Sequence, residues 1–259
     1  MQTITSRSNE RIKEAVSLAE RRERETLKRF CFEGVHLLEE LLKNGIKPLE
    51  VFAAPSALEK YAALLGPLGD TVTPVSESVY RKLSFERAPQ GVFCVAGYLP
   101  NIKENVTPPR GSVILESVRD AGNLGGMIRT AAALGINCVA VSRDCADLYS
   151  PKTVRASMGA LFACDIIVLD DIASAVKEMT TSGNRVFAAC LYGETRVLGS
   201  FALEEGDSFV FGNEGVGISE AVASACTSRV IIPMSGKTES LNVAAASAVV
   251  MWEMVRKRG

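Results

Sequence analysis

The feature that most constrains the fold of this chain is a series of short apolar stretches, rich in β-branched residues, that recur from residue 111 to its end. Helical patterns separate these stretches, and such strands are typical of parallel sheets with both faces covered by helices. We predict strands at Ser112–Leu115, Cys138–Val141, Ile166–Leu169, Arg185–Cys190, Ser208–Phe211 and Arg229–Ile232. The sequence therefore predicts an α/β fold with a mostly parallel sheet that is covered by helices.

The N-terminal part of the chain predicts a second, smaller α/β domain. Apolar residues recur at helical spacing over residues 32–42, and the apolar stretch Gly91–Tyr98 predicts a strand. Residues 99–110 combine three prolines with polar residues and lack periodicity, which is typical of a linker. We therefore expect domains at residues 1–98 and 111–259 with a linker at 99–110.

The overall charge of the chain gives no sign of a nucleic-acid partner. Lys and Arg together number 29, and Asp and Glu number 30, so any RNA-binding surface must be local. The first thirty residues hold eight cationic side chains against five glutamates. This segment is either a solvated helix face with ion pairs between its turns or an arm that faces RNA.

The seven cysteines indicate a reducing compartment. Their number is odd and no two have C-x-x-C spacing, so we expect free buried thiols and a cytoplasmic protein. The sequence has no signal-peptide pattern and no apolar run of about 18 residues, so we expect a soluble protein without a membrane partner. His36 is the single histidine and no Cys/His cluster has metal-ligand spacing, so we expect no metal site.

The first of three polar segments that follow predicted strands spans residues 116–136. Its glycines predict a tight turn, and we expect a helix from about Met127 with Arg129 in its first turn. A cation there opposes the helix dipole unless an anion approaches the same end. Arg129 therefore either meets an anionic group or pairs with Asp120 or Glu116, and Asn123 is either functional or a helix cap.

The second segment, FVFGNEGVGIS at residues 209–219, runs from a strand into three glycines with Glu214 between them. The G-x-x-G-x-G spacing reverses the dinucleotide fingerprint, and the chain holds no G-x-x-x-x-G-K-[ST] phosphate loop. These observations argue against NAD and ATP. The loop either lets backbone groups approach another ligand closely or is only a turn.

The third segment spans residues 231–253, where a strand stops at Pro233 and a polar loop leads into a helix predicted at Ser240–Lys257. We expect Ser240 to be the helix N-cap. Asn242 would then be the second helical residue, where an amide side chain is a poor choice unless it has a partner. The final helix packs against the sheet or against a second subunit.

Together, the three segments resemble the signature motifs of the SpoU (TrmH-like) branch of the SPOUT methyltransferases. The matching residues are Asn123, Gly125 and Arg129 in the first motif, Gly212, Asn213, Glu214 and Gly217 in the second, and Ile232–Met234 and Ser240–Val243 in the third. Residues 148–162 also resemble the connecting segment of the family. Ala121 stands where many members have proline. The stretches SRSNERIK and FEGVHLLEE near the N-terminus resemble the ribosomal-protein-like substrate-binding domain of some members.

The resemblance implies a C-terminal trefoil knot, a homodimer and S-adenosylmethionine bound in the loops of the knot, without a metal. It implies a methyltransferase that acts on an RNA ribose. The catalytic residues that it implies are Arg129, Asn123, Glu214, Ser240 and Asn242. The cofactor-binding residues that it implies are Leu191, Gly193, Gly212, Ile232, Met234 and Leu241.

In this interpretation Arg129 stabilises negative charge on the ribose 2′-oxygen, because a guanidinium with a pKa above about 12 is a poor base. The extra N-terminal domain favours large-subunit ribosomal RNA as the substrate. Methylation of tRNA, methylation of a base nitrogen, and a non-catalytic RNA-binding or ribosome-assembly protein on the same fold remain as alternatives.

Overall fold

The computed structural model describes residues 3–237 and 239–256, and the chain divides into two compact units. The first unit holds the chain up to Leu99 together with Asp147–Phe162. The second unit holds Pro100–Ala146 and the chain from Ala163 onward. The chain therefore leaves the second unit once and returns to it.

The N-terminal part of the first unit is a four-stranded sheet with helices. Its helices are α1 (Glu10–Ser17), α2 (Arg21–Leu27), α3 (Val35–Lys43), α4 (Pro55–Lys60), α5 (Ala62–Leu65) and α6 (Glu77–Leu83), and its strands are β1 (Arg29–Glu33), β2 (Glu50–Ala53), β3 (Val72–Pro74) and β4 (Val92–Gly97). The strand order is β1-β4-β2-β3, with β4 antiparallel to both of its neighbours. This confirms a small N-terminal α/β fold.

The helix predicted over residues 32–42 begins later than the apolar spacing suggests. Residues up to Glu33 belong to β1, and α3 begins at Val35. Gly34 separates the two elements with a φ of 112°, a conformation that other residues rarely adopt. The chain can therefore turn from strand to helix within one residue.

Beyond Leu99 the chain alternates between helices and short strands. The helices are α7 (Ala121–Ala133), α8 (Pro151–Ser157), α9 (Ala160–Ala163), α10 (Ile172–Thr181), α11 (Glu220–Ala225) and α12 (Val243–Val255), and the strands are β5 (Ile102–Glu104), β6 (Val113–Leu115), β7 (Cys138–Ser142), β8 (Asp165–Leu169), β9 (Val186–Ala189), β10 (Thr195–Val197), β11 (Ser208–Phe211) and β12 (Ser228–Ile231). Helix α12 begins after the predicted Ser240, and Lys257 lies outside the described residues.

The sheet of the second unit has the strand order β10-β12-β9-β11-β6-β7-β8-β5, and each pair of neighbouring strands is parallel. Each of the six predicted strands forms, which confirms the parallel sheet. The two edge strands β5 and β10 are not predicted from the sequence, and β5 lies within residues 99–110, the predicted linker. Both edge strands are partly exposed and too short for an apolar run to mark them.

Residues Asp147–Phe162 lie in the stretch that the sequence assigns to the C-terminal domain, and their side chains complete the core of the first unit. Arg24, only 3% exposed, donates to Asp147 Oδ2 at 2.6 Å. The ring of Phe30 contacts the rings of Tyr149 and Phe162, with centroid distances of 5.0 and 6.3 Å. These contacts join residues far apart in the chain, so no local pattern predicts them.

The seven cysteines are free, and all are buried except Cys226, which is partly exposed. This agrees with the expected reduced thiols. Across residues 3–237 and 239–256, no helix is both long enough and apolar enough to cross a membrane.

Candidate active site

A pocket of about 460 Å³ lies at the carboxyl ends of β9, β11 and β12. Its walls come from the residues that follow these strands and from the start of α12, so it sits where open parallel sheets usually bind ligands. Its volume lies within the range of about 300–1,000 Å³ that is usual for small-molecule sites. The second and third polar segments of the sequence therefore meet at one cavity.

Most residues predicted to bind the cofactor line this pocket. They are Leu191, Gly212, Ile232, Met234 and Leu241. Gly193 is not among the lining residues, and it has a φ of 75°. A Cβ atom at Gly193 would lie 2.1 Å from Arg229 Nη1, so glycine lets the backbone pass directly over the Arg229 side chain.

The loop after β11 is held rigidly by its own backbone. Asn213 and Gly217 exchange two backbone hydrogen bonds of 2.9 and 3.0 Å. A Cβ atom at Gly212 would lie 2.2 Å from the carbonyl carbon of Gly217, so only glycine fits there. The sequence prediction did not assign Asn213 a role, but its Oδ1 accepts from the N–H groups of Gly215 and Val216 at 2.8 and 3.1 Å. An Asn at the start of a glycine loop is the local signal for this kind of turn.

Glu214, on this loop, is fixed by three donors from the first polar segment, residues 116–136. Its carboxylate accepts from the Nδ2 of Asn123 at 3.0 Å and from the backbone N–H groups of Arg119 and Asp120, each at 3.3 Å. Burial alone would raise the pKa of Glu214, but these hydrogen bonds outweigh it and lower the pKa below its ordinary value. Glu214 is therefore ionised at neutral pH and is suited to orienting Asn123.

Helix α7 begins six residues before the predicted start, so the predicted glycine turn is wrong. Asp120 is the N-cap, and its Oδ1 accepts from the N–H of Asn123 at 2.9 Å, so Asn123 is not the cap. Gly122, Gly125 and Gly126, which the sequence places in the turn, lie inside the helix. The chain turns instead at Ser117, which has a φ of 56°, so no glycine is needed after β6.

Arg129 lies in the third turn of α7, so its predicted place in the first turn is wrong, and its charge does not oppose the dipole at the helix N-terminus. Its side chain is exposed, and within the described part of the chain it makes no hydrogen bond or ion pair. Glu116, one of its two expected partners, accepts from the N–H of Ser219 at 2.8 Å. Arg129 is therefore open to a group from outside the chain.

Asn242, and not the predicted Ser240, is the N-cap of α12. Its Oδ1 accepts from the N–H groups of Ala244 and Ala245 at 2.9 and 3.3 Å. Its Nδ2 donates to Oδ1 of Asn123 at 3.3 Å. The sequence prediction erred because both Ser and Asn are good caps, and the backbone stays extended through Asn242, with a ψ of 140°.

The structure thus joins three of the five predicted catalytic residues, Asn242, Asn123 and Glu214, in a hydrogen-bonded series that we call the amide–carboxylate chain. Ser240 lines the same pocket as Glu214 and Asn242. Arg129 makes no hydrogen bond with any residue of the amide–carboxylate chain. Among the described residues, no group of three or more His, Cys, Asp or Glu side chains could hold a metal ion.

Comparisons with known proteins agree with this geometry. Residues 111–252 match the model of the SpoU rRNA Methylase family, and residues 9–94 match the MRM3-like substrate binding domain. The 23S rRNA (guanosine(2553)-2′-O)-methyltransferase RlmP of Bacillus subtilis is 31% identical over 264 residues, which cover 98% of this chain and 99% of the relative.

Solved structures give the same result. An AdoMet-bound rRNA methyltransferase from Sinorhizobium meliloti superposes with a TM-score of 0.84 at 27% identity, covering 99% of this chain and 98% of the other. An RNA 2′-O ribose methyltransferase superposes with a TM-score of 0.82 at 29% identity, covering 99% of both chains. The family and the methyltransferase activity predicted from the three motifs are therefore confirmed, and the chain belongs to the SpoU rRNA methylase family.

Proposed function

We propose that the protein transfers the methyl group of S-adenosylmethionine to a ribose 2′-hydroxyl of large-subunit ribosomal RNA. The proposal rests on the amide–carboxylate chain, two of whose residues, Glu214 and Asn242, line the pocket, because this chain brings the three motif segments to one place. The names of the relatives support the substrate, since the Bacillus subtilis relative is a 23S rRNA 2′-O-methyltransferase and the Sinorhizobium meliloti structure is bound to AdoMet.

The pocket suits a nucleoside-like cofactor. Leu191, Ile232 and Leu241 offer apolar walls, Met234 stands beside them, and Gly212 lets the loop after β11 close on Gly217, where a Cβ atom would clash. Bound S-adenosylmethionine supplies an electrophilic methyl group on a sulfonium. These five residues, with Gly193 holding the neighbouring turn over Arg229, bind and orient that group.

The hydroxyl that attacks the methyl group must lose its proton to solvent water, and the residues of this chain favour the resulting oxyanion. Arg129 is exposed and has no hydrogen-bond or ion-pair partner among residues 3–237 and 239–256, so it meets the ribose oxygen or the adjacent phosphate as an electrostatic stabiliser. Asn123, Asn242 and Ser240 orient the ribose. Glu214 stays ionised and fixes the amide of Asn123, so it acts as an orienting group.

We also propose that the protein is a homodimer through α12. Ala245, Val249 and Trp252 lie on one face of this helix, and Val249 and Trp252 are 45% and 58% exposed. An exposed apolar face of this kind is typical of an interface. The family resemblance further supports a trefoil knot formed by the C-terminal strands and α12, which fits the insertion of β12 between β10 and β9.

The first unit is the proposed RNA-binding part, and its match to a substrate binding domain supports this. Lys82 Nζ donates to the backbone oxygen of Arg7 at 2.8 Å, so the cation of Lys82 lies against the segment before α1 that carries Arg7. A cation there suits contact with phosphates, whose share of the affinity falls as salt rises. The free thiols suit a cytoplasmic protein.

Two measurements on one preparation test the proposal. Calorimetry measures S-adenosylmethionine binding, and transfer of tritiated methyl groups is measured with unmodified 23S rRNA and with unmodified tRNA as separate substrates. We expect binding and transfer to 23S rRNA. Transfer to tRNA alone would replace the substrate assignment, and binding without any transfer would favour a non-catalytic RNA-binding protein.

A further inference from the structure

We infer that Asp144, in the loop after β7, is a positioning residue that sets the geometry of the amide–carboxylate chain from outside the pocket. Its carboxylate accepts from the hydroxyl groups of Ser142 and Ser117 at 2.5 and 2.7 Å and from Arg119 Nη2 at 2.7 Å. Two of these donors belong to the segment that follows β6. Asp144 therefore ties that segment to the end of the neighbouring strand.

The backbone conformation of Ser117 shows why these contacts of Asp144 are needed. The residue adopts a left-handed φ of 56°, which is uncommon for a residue with a side chain and is maintained only where the surroundings impose it. Its N–H donates to Oγ of Ser142 at 2.8 Å, and its carbonyl oxygen accepts from Nδ2 of Asn213 at 2.8 Å. The hydroxyl of Ser117 donates to Asp144. Each polar group of Ser117 is therefore hydrogen-bonded either to residues at the end of β7 or to the loop that carries Glu214.

The segment held in this way carries the donors that fix Glu214. The backbone N–H groups of Arg119 and Asp120 point at the Glu214 carboxylate, and Glu214 in turn holds Asn123. Asp144 is not among the residues that line the pocket, so it acts through this segment and not by touching a ligand. A shift of the segment would move the donors of Glu214 and, through Glu214, the amide of Asn123.

Burial alone would raise the pKa of Asp144, but hydrogen bonds from Ser142 and Ser117 and the charge of Arg119 lower it overall. The carboxylate therefore stays charged and keeps accepting from its three donors at neutral pH. The cation that it holds, Arg119, also contributes one of the backbone N–H groups on Glu214.

A similar ion pair one strand away supplies a matched control. Asp170, after β8, pairs with Arg143 and accepts from Nδ2 of Asn105 at 2.7 Å, and it is exposed to a degree similar to that of Asp144. Among the described residues, Asp170 itself contacts Arg143 and Asn105 but no residue of the segment 116–124. Asp144→Asn and Asp170→Asn therefore each remove one negative charge. The first removes it from the contacts that hold the segment after β6, and the second removes it from a surface ion pair.

The first test compares turnover. In Asp144→Asn we expect kcat to fall by about tenfold or more, because small misplacements of catalytic groups can cost up to about a hundredfold. The Kd for S-adenosylmethionine should stay within about twofold, and Asp170→Asn should match the wild type. In a double-mutant cycle, adding Asp144→Asn to the Glu214→Gln variant should lower kcat by less than about a further twofold. Both residues act through the amide–carboxylate chain, so their effects should not add. Additive losses, or wild-type kcat in Asp144→Asn, would overturn the inference.

The second test does not depend on catalysis, whereas the turnover comparison rests on the proposed function. Amide hydrogen exchange of the peptide spanning residues 116–124 should be faster in Asp144→Asn and unchanged in Asp170→Asn. If Asp144→Asn does not fold, Ser117→Gly tests the same tie, because glycine accepts the left-handed φ and only the hydroxyl is lost. Wild-type exchange in this peptide in the folded variant would overturn the inference even if the protein methylated no RNA at all.

Discussion

The side-chain amide of Asn242 donates to the side-chain oxygen of Asn123 at 3.3 Å, across 119 positions of sequence. Asn242 caps α12, and Asn123 lies in the first turn of α7, so the N-terminal ends of two helices meet at this hydrogen bond. Helix N-termini carry partial positive charge. The pair therefore lies in surroundings that favour an anion, such as the carboxylate of Glu214 or a developing 2′-oxyanion.

Asn123→Asp should make turnover depend on pH. The new carboxylate would lie beside Glu214, and two carboxylates that share a site raise one pKa of the pair. At pH 8 we expect kcat to fall by about a hundredfold, because the donor to Glu214 is lost and like charges repel. Towards pH 5.5 one shared proton restores a hydrogen bond, so kcat should partly recover.

Steady-state kinetics between pH 5.5 and pH 8 check this prediction. Asn123→Ala cannot share a proton, so the factor by which its kcat falls below that of the wild type should be the same at each pH. Asn105→Asp places a second carboxylate beside Asp170, away from the pocket, and should leave kcat unchanged. A profile for Asn123→Asp parallel to that of Asn123→Ala would contradict the shared-proton explanation.

Glu214→Gln should change how stability depends on pH. The folded-state pKa of Glu214 is lowered, so its ionised form stabilises the fold above the unfolded pKa of about 4.3, and this contribution is lost as pH falls through the folded pKa. In urea unfolding, the difference in free energy of unfolding between the wild type and the variant should stay constant from pH 6 to pH 8. The difference should shrink below about pH 4.5, and a difference that grows on acidification would show the opposite sign of pKa shift.

Gly212→Ala should destabilise the second unit. The added Cβ atom would lie 2.2 Å from backbone atoms of the same loop, which cannot move without breaking the bonds between Asn213 and Gly217. We expect a loss of about 1–3 kcal/mol in the free energy of unfolding, measured by chemical denaturation. Gly215→Ala is the control, because its Cβ atom would meet only Asn213 Oδ1 at 3.5 Å, and equal losses in both variants would contradict the account.

The sequence predicts the sheet and the three motif segments because buried parallel strands leave continuous apolar runs and the motifs leave polar residues where strands end. It misplaces the start of α7, since a glycine-rich stretch after a strand is compatible with either a turn or a helix. The left-handed conformation of Ser117 decides between them, and it depends on Ser142 and Asp144 from the next strand. Such contacts between distant residues leave no local pattern.

Arg129→Ala should lower kcat with little effect on folding. Arg129 is exposed and unpaired within the part of the chain that the structure describes, so its removal should cost less than about 0.5 kcal/mol of unfolding free energy. Loss of one electrostatic stabiliser typically lowers kcat by about a hundredfold or more. Lys177→Ala removes an exposed cation from α10 and should leave kcat unchanged.

Arg129→Lys separates charge from geometry. Lysine keeps the charge but loses the planar fork that can grip an oxyanion and a phosphate together, so we expect an intermediate kcat. Near-normal turnover in this variant across neutral pH would exclude both a base role and a two-point grip for Arg129.

The proposed acceptor of the methyl group is a ribose 2′-oxygen. The most direct measurement is mass spectrometry of nucleosides from unmodified 23S rRNA after incubation with the protein and methyl-labelled S-adenosylmethionine. We expect the label in a single 2′-O-methylated nucleoside, and we expect labelling to be about a hundredfold slower or more with Arg129→Ala. Label on a nucleobase, or no label in the presence of bound S-adenosylmethionine, would contradict the proposal.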